Sequence, residues 1–463
     1  MKICGIIAEY NPFHSGHAYQ IEQARIQSGC DHVIAAMSGD FVQRGAPALT
    51  DKYSRAREAL YVGADLVLML PVYGSTASAE GFARAGVAAL LSTGVVDAIS
   101  FGCEDVRICS DDYRHLAKAL TQEPATFQAA LAARLSDGIP YAQARVKATK
   151  QCYGAELDLS LLDTPNNLLA FEYMRALEYF GAALELVPIR RLGSYHDVSC
   201  SSSAQTTPFE DSGDVHPLIC APANSSTGNT LLADHPTVQN ARLSISGDTR
   251  FASASACRKS LLSDPVHELQ TLKNARQIPP EVCRLLADYA ANYAFLQEDD
   301  FSHMLHYALL AGKSSGYEHV LDCGSDLSAR IGNQLEQYND FSGFCDLLKN
   351  KSVTRARVAR ALTHILLQLP AKMPVPLVSA HGTLPYLRVL GFRRSAGPLL
   401  HEIKLRAASP LITRVPEAAR TLSAEALSYF NQDLFASEIY RSALLHKCGH
   451  CFPDDYRRRI EIV

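Results

Sequence analysis

Apolar runs alternate with helical patterns through the first hundred residues of the chain. Continuous apolar runs that predict strands lie at residues 3–8, 32–37, 65–70, 97–101 and 184–189. Helical periodicity separates the first four runs, at residues 18–27, 51–62 and 78–91. Buried strands separated by helices are typical of a parallel sheet that helices cover on both faces. The pattern therefore predicts an α/β fold.

The second half of the chain has a different pattern. Residues 198–248 are rich in Ser, Thr, Asn, Asp, Gly and Pro and show little periodicity, which predicts a flexible insertion. Helical periods dominate from about residue 264 to the end. We expect two domains: residues 1–262, which hold the sheet and the insertion, and a mainly α-helical region at 263–463.

Two histidines, His14 and His17, stand between the first predicted strand and its helix. Ligands of parallel sheets collect at the carboxyl ends of the strands, and the free N–H groups of a helix start favour a phosphate. Gly16 lets the backbone approach a ligand closely. Two imidazoles there can bind phosphate oxygens and stabilise the charge that builds up when phosphorus is attacked. The alternative is a pair of ordinary turn histidines.

Other polar residues follow predicted strands or open predicted helices. Arg44 lies in the loop after the second strand and could bind a carboxylate or a phosphate through both guanidinium nitrogens. Asn166 and Asn167 begin a helix, where they face a ligand or only help to cap it. Ser255 and Arg258 form a second phosphate-binding candidate. The alternatives are a surface loop for Arg44, and a helix cap with a solvated arginine for the last pair.

A basic segment lies in the helical region of a chain whose formal net charge is −4. Residues 347–400 contain no Asp or Glu. This local positive region predicts a polyphosphate backbone as partner, with an affinity that falls steeply with salt. Tyr386 and Phe392 could provide stacking surfaces; a solvated helix face with core aromatics is the alternative. The residues predicted to bind RNA are Lys349, Lys351, Arg355, Arg357 and Arg360.

Composition indicates the cellular compartment and argues against a secreted protein and a membrane-spanning protein. Thirteen scattered cysteines without a disulfide framework, and no secretory signal, favour reduced thiols in the cytoplasm. No apolar run is long enough to span a membrane. Cys448 and Cys451 have no second cysteine pair at zinc-site spacing, so we predict no protein-held metal. Nothing in the sequence implies a protein partner.

Several stretches resemble one enzyme family. His14-Ser15-Gly16-His17 after a first strand, together with residues 253–258, resembles the paired signature of the nucleotidyltransferase superfamily. The N-terminal domain is thus expected to be Rossmann-like. Residues 8–17, 37–45, 100–102, 165–167, 349–367 and 386–392 are similar to bacterial tRNA(Met) cytidine acetate ligases. The resemblance covers nearly the whole chain outside the insertion; Asp40 departs from it, because the family commonly has Asn there.

The resemblance implies a two-step reaction. ATP and acetate give acetyl-adenylate and pyrophosphate, with Mg²⁺ sharing the binding of the phosphates. The acetyl group then passes to N4 of the wobble cytidine of elongator tRNA(Met), forming N4-acetylcytidine. Two rival functions stay open at this point. One is another adenylyltransferase that acts on a small molecule, and the other is a tRNA-binding protein without catalysis.

The resemblance also implies roles for individual residues. His14 and His17 would stabilise the phosphates during attack, and Arg44 would hold the acetate or a phosphate. The residues implied to bind ATP are Ile7, Ala8, Glu9, Tyr10, Asn11, Pro12, Phe13, His14, Ser15, Gly16, His17, Ala18, Tyr19, Gln20, Gly102, Asn166, Asn167, Arg190, Arg191, Ser255 and Arg258.

Overall fold

A computed structural model describes most of the chain. The described residues are 1–137, 139, 141–153, 158–192 and 250–463. The predicted insertion at 198–248 lies outside them. None of the described helices is long and apolar enough to cross a membrane.

Ten strands and eighteen α-helices make up the described structure. The strands are β1 (Ile3–Ala8), β2 (His32–Ser38), β3 (Phe41–Val42), β4 (Ala46–Pro47), β5 (Leu66–Leu70), β6 (Ala98–Cys103), β7 (Glu185–Arg190), β8 (Leu387–Phe392), β9 (Leu411–Ile412) and β10 (Glu461–Ile462). The helices of the first half are α1 (Ser15–Ser28), α2 (Lys52–Val62), α3 (Val72–Ser75), α4 (Ala79–Ser92), α5 (Asp111–Gln122), α6 (Ala125–Ser136), α7 (Tyr141–Tyr153) and α8 (Pro165–Phe180). Those of the second half are α9 (Ala254–Ser263), α10 (Pro265–Asn274), α11 (Pro280–Asn292), α12 (Ser302–Gly312), α13 (Ser325–Gln334), α14 (Phe341–Leu348), α15 (Arg355–Leu366), α16 (Gly397–Arg406), α17 (Val415–Thr421) and α18 (Ala424–Cys448).

The central sheet confirms the predicted α/β fold. Its main path runs β10-β8-β5-β2-β1-β6-β7, and the five strands from the N-terminal half are parallel to one another. The chain builds outward from β1 through β2 to β5, then crosses back to β6 on the other side of β1. Right-handed crossovers therefore place α1 and α2 on one face and α4 and α8 on the other. The order in which strands are added to the sheet changes direction between β1 and β6. This is the switch point of the sheet, and ligands of such sheets bind there, at the carboxyl ends of the strands.

The second half is mainly helical, as predicted, but it also completes the sheet. Strand β8 pairs antiparallel with β5, and β9 and β10 pair with β8. Periodicity did not predict these three strands, because they are short and surrounded by helical patterns. The domain boundary at residue 262 stays a prediction.

A short hairpin connects the sheet to the helical half. Strands β3 and β4 pair antiparallel, with Gly45 at the turn in a left-handed conformation, φ 72°. A side chain at Gly45 would collide with the backbone of Ala359 and Arg360, so the turn lies directly on α15. The Thr363 hydroxyl donates to the Gly45 carbonyl at 2.8 Å. The loop after β2 is thus held against the basic segment.

Candidate active site

The histidine pair forms the start of α1. The Nδ1 atom of His14 accepts the Gly16 N–H at 3.0 Å, and the Nδ1 atom of His17 accepts the His14 N–H at 3.2 Å. Each imidazole thus satisfies a backbone donor that the helix leaves free. A neutral imidazole whose Nδ1 accepts carries its proton on Nε2. Both histidines therefore have an Nε2–H group available to donate to a ligand.

The surroundings keep both rings neutral. Burial, aided by the charges of Arg191 and Arg258, lowers the pKa of His14 to about 3. Burial and the neighbouring His14 and Arg191 hold the pKa of His17 well below its usual range. The charges of Arg191 and Arg258, which oppose protonation of His14, would favour an anion bound beside it.

Gly16 allows the two rings to stack. Their centroids are 3.8 Å apart with an interplanar angle of 29°. A Cβ atom at Gly16 would lie 2.7 Å from Cε1 of His14. The glycine therefore leaves room for the His14 ring, a role distinct from the predicted close approach of backbone to ligand.

A cleft of about 410 Å³ opens beside the histidines, between the ends of β1, β6 and β7. Its lining combines residues predicted from the sequence with three that were not: Ile189, Leu192 and Phe251. The predicted residues in the lining are His14, Gly16, His17, Tyr19, Gln20, Gly102, Arg190 and Arg191. The sheet thus brings residues 14–20, which follow β1, close to residues 189–192, which lie at the end of β7.

The second phosphate-binding candidate reaches the same loop. The Arg258 guanidinium donates to the backbone carbonyl of Asn11 and to the Ser255 hydroxyl, the latter at 3.0 Å. Ser253 caps α9 by accepting the Ala256 N–H. Arg258 is therefore joined to the histidine loop across 247 positions of sequence, and its charge acts on His14.

The two asparagines at the start of α8 hold a turn beside the cleft. The amide oxygen of Asn167 accepts the N–H groups of Glu104 and Asp105, at 3.0 and 3.2 Å. The Asn166 side chain donates to the Glu104 carboxylate and accepts from Arg191 at 3.3 Å. Asn167 is buried and does not line the cleft, whereas Asn166 orients an arginine that does.

Arg44 lies at the tip of the β3–β4 hairpin, next to Gly45, and its side chain is exposed. Among the residues that the structure describes, it does not belong to the lining of the histidine cleft. The structure places it beside α15, the helix that carries most of the predicted RNA-binding residues.

Acidic residues that precede the basic segment in sequence partly neutralise it. Lys349 pairs with Asp346 at 2.7 Å, Arg355 with Glu298 at 2.6 Å, and Arg360 with Asp322 at 2.9 Å. Lys351 and Arg357 are exposed, and neither has an ion-pair partner within the described part of the chain. These two residues carry the free positive charge of the predicted surface.

One expectation is wrong in the structure, and the departure at Asp40 has a local partner. Tyr386 is buried and its hydroxyl donates to Asp433 at 2.6 Å, so the prediction of a stacking surface there is wrong. Asp40, the departure from the family pattern, forms a buried ion pair with Lys52 at 2.8 Å. Its negative charge is therefore balanced inside the protein.

Comparison with known proteins identifies the family. The chain matches the family described as HIGH Nucleotidyl Transferase over residues 1–207 and 237–451. It is 31% identical over 444 residues to a tRNA(Met) cytidine acetate ligase of Thermoanaerobacter sp. (strain X514), with 96% of each chain covered. The chain belongs to the tRNA(Met) cytidine acetate ligase family. A Clostridium kluyveri member of that family is 32% identical over 469 residues, with 98% of each chain covered.

A solved structure supports the fold of the family. The crystal structure of Thermotoga maritima TmcAL bound with alpha-thio ATP aligns with a TM-score of 0.80. It covers 100% of this chain and 99% of the Thermotoga chain, at 23% sequence identity. The two proteins therefore share a fold.

Proposed function

We propose that this protein activates acetate with ATP and transfers the acetyl group to N4 of the wobble cytidine of elongator tRNA(Met). The names of its relatives give the substrates. The observation in this structure that carries the proposal is the pair of neutral imidazoles, each with its Nδ1 engaged, at the switch point of the sheet. The reaction takes place in the cytoplasm, which supplies ATP, acetate and tRNA.

In the first step an acetate oxygen attacks the α-phosphorus of ATP, and the bond from that phosphorus to the pyrophosphate oxygen breaks. Negative charge grows on the phosphoryl oxygens and on the leaving group. The Nε2–H groups of His14 and His17 donate to those oxygens, and Arg191 and Arg258 add positive charge. Because both rings are neutral and their Nδ1 atoms accept backbone N–H groups, their Nε2–H groups can donate to phosphate at neutral pH without a change of protonation.

Mg²⁺ fits this site as a companion of the triphosphate. Within the described ranges no group of three or more His, Cys, Asp or Glu side chains could hold a metal ion. Mg²⁺ commonly keeps several waters and binds substrate phosphates with only one or two carboxylates. The ion would arrive on ATP and neutralise charge on its phosphates, and no residue of this chain is assigned to it.

In the second step the N4 amine of the cytidine attacks the acyl carbon, AMP leaves, and a proton is lost from N4. The base has to leave its stack in the anticodon loop to reach the acyl group. Arg357 and Lys351 contact the RNA backbone. Arg44 binds a phosphate of the same RNA, because the hairpin holds it beside α15 and it does not belong to the described lining of the histidine cleft.

The exchange of labelled pyrophosphate into ATP tests the first step. We expect exchange that requires acetate and needs no tRNA, and we expect His14→Ala and His17→Ala to abolish it. Exchange that depends on a nucleoside monophosphate in place of acetate would favour a small-molecule adenylyltransferase. No exchange in the wild type, with tRNA binding unaffected by His14→Ala, would favour a tRNA-binding protein without catalysis.

A further inference from the structure

A fully buried arginine under the histidine loop has no part in the chemistry described above. Arg55, on α2, donates to four backbone carbonyls among the described residues: to Glu9 at 2.7 Å, to Ser38 and Thr50 at 3.1 Å each, and to Gly39. Glu9 directly follows β1, and Ser38 ends β2. One guanidinium thus joins the carboxyl ends of the two strands next to the switch point.

Glu58 lies one turn further along α2 and faces the other end of the same loop. The backbone N–H of Phe13, the residue before His14, is close enough to its carboxyl group to act on its pKa. The Oε2 atom of Glu58 has no hydrogen-bond partner among the described residues, and the side chain is buried. Arg55 therefore holds residue 9, and Glu58 faces residue 13, at the two ends of the segment that leads into the histidine pair.

We infer that Arg55 and Glu58 are positioning residues for ATP binding, with Arg55 supplying a buried positive charge beneath the phosphate loop. The carboxyl group of Glu58 does not cancel this positive charge at neutral pH, because it stays protonated there. Burial is the main cause that raises the pKa of Glu58 to about 8, against the opposing charge of Arg55. Above that pH the ionised carboxylate would cancel the arginine and repel a polyphosphate.

Three other titratable groups near this part of α2 keep their charge between pH 7 and 9. Asp51, on the same helix, is ionised and pairs with Arg458 at 2.9 Å. Helix α11 packs on α2 and contributes Cys283 and Tyr289. Burial raises the pKa of Cys283 to about 11 and holds that of Tyr289 well above its usual range, so both are neutral. Between pH 7 and 9 the change of charge next to Arg55 therefore comes from Glu58.

Direct measurement of the ATP dissociation constant between pH 7 and 9 tests the inference, using the full chain with Mg²⁺. We expect the wild-type constant to rise at least about threefold across this range, and we expect Glu58→Gln to remove the rise. The terminal phosphate of ATP titrates at about pH 6, so the charge of ATP changes little between pH 7 and 9. Identical pH profiles for the wild type and Glu58→Gln would overturn the inference, as would a wild type that does not bind ATP.

Arg55→Lys provides a second readout. Lysine keeps the charge but cannot reach four carbonyls, so we expect an increase of about tenfold in the ATP dissociation constant at pH 7. Arg57→Gln, on the exposed face of α2, is the matched control and should bind ATP like the wild type. Unchanged ATP affinity in a folded Arg55→Lys protein would also overturn the inference; if that variant does not fold, the Glu58→Gln profile decides.

The inference rests on the proposed use of ATP, and the two can fail separately. Pyrophosphate exchange with acetate is measured on the same preparations. Tight ATP binding with the expected pH profile but without acetate-dependent exchange would count against the proposed reaction and leave the positioning role supported.

Discussion

At the scale of single residues, the site depends on how two neutral histidines fit at one helix start. His14 caps α1 through Nδ1, and Gly16 leaves space for its ring. A glycine inside a helix normally costs about 1 kcal/mol relative to alanine. The presence of glycine here is explained by the contact that a Cβ atom would make with the His14 ring.

Gly16→Ala should separate activity from stability. We expect acetate-dependent pyrophosphate exchange to fall by roughly tenfold or more, because the His14 ring must move, with little change in the free energy of unfolding. Gly332→Ala is the matched control: this glycine also lies within a helix, α13, and a Cβ atom there would meet nothing within 4 Å. It should gain up to about 1 kcal/mol of stability and keep full activity. Equal activity in the two variants would contradict the packing argument.

The lowered pKa of His14 predicts how stability depends on acidity. The unfolded chain takes up a proton at this residue near pH 6.5 and the folded protein only near pH 3. The contribution of a neutral His14 is therefore complete above pH 6.5 and is lost as the pH falls toward 3. At pH 5 the loss is about 2 kcal/mol relative to pH 7. Urea unfolding of His14→Gln should show a smaller decrease than the wild type between these pH values, whereas the exposed His267→Gln should match the wild type.

At the scale of elements, the β3–β4 hairpin connects the ATP site with the RNA surface. Its base follows β2, and its tip lies on α15. Because Arg44 is fixed at that tip, Arg44→Gln should raise the Michaelis constant for tRNA by roughly fivefold to tenfold, the effect of one charged contact. The measurement is acetyl transfer at varied tRNA concentration. The opposite result would be a raised Michaelis constant for acetate in pyrophosphate exchange and an unchanged one for tRNA. It would indicate that Arg44 binds acetate instead.

The basic segment should divide into residues that bind RNA and residues that support the fold. Lys351→Gln with Arg357→Gln should reduce the slope of log affinity against log salt by roughly 1.5 to 2, without a change in melting temperature. Arg355→Gln should lower stability as well, because it leaves Glu298 without its partner. Filter binding of tRNA at several salt concentrations measures the slope. If the double variant kept the full slope, Lys351 and Arg357 would not belong to the RNA-binding surface.

At the scale of the whole molecule, the C-terminal segment completes a buried charge network. Asp455 pairs with Lys52 at 3.0 Å and with Arg388 at 2.9 Å, and these cations lie on α2 and β8. Asp455→Asn would leave Arg388 buried without its carboxylate, at an expected cost of about 3 kcal/mol in urea unfolding. Asp454→Asn, at the neighbouring and more exposed position, is the control and should cost less than about 0.5 kcal/mol.

Local periodicity was sufficient for the five parallel strands and a short motif for the histidine pair, whereas most of the cleft lining followed from the resemblance to the ligase family. Sequence patterns could not reveal contacts between distant segments. Phe251 joins the cleft only because residues 250–258 return to the histidine loop. The acids that neutralise Arg355 and Arg360 come from residues 298 and 322, so the charge of residues 347–400 alone overstated the free positive surface.

The central claim is that the neutral imidazoles of His14 and His17 support acetylation of a tRNA base. The most direct test incubates the protein with ATP, labelled acetate and unmodified elongator tRNA(Met), followed by analysis of the nucleosides. We predict labelled N4-acetylcytidine at the wobble position with the wild type and none with His14→Ala or His17→Ala. Absence of N4-acetylcytidine with a folded wild-type protein that binds both ATP and tRNA would contradict the account.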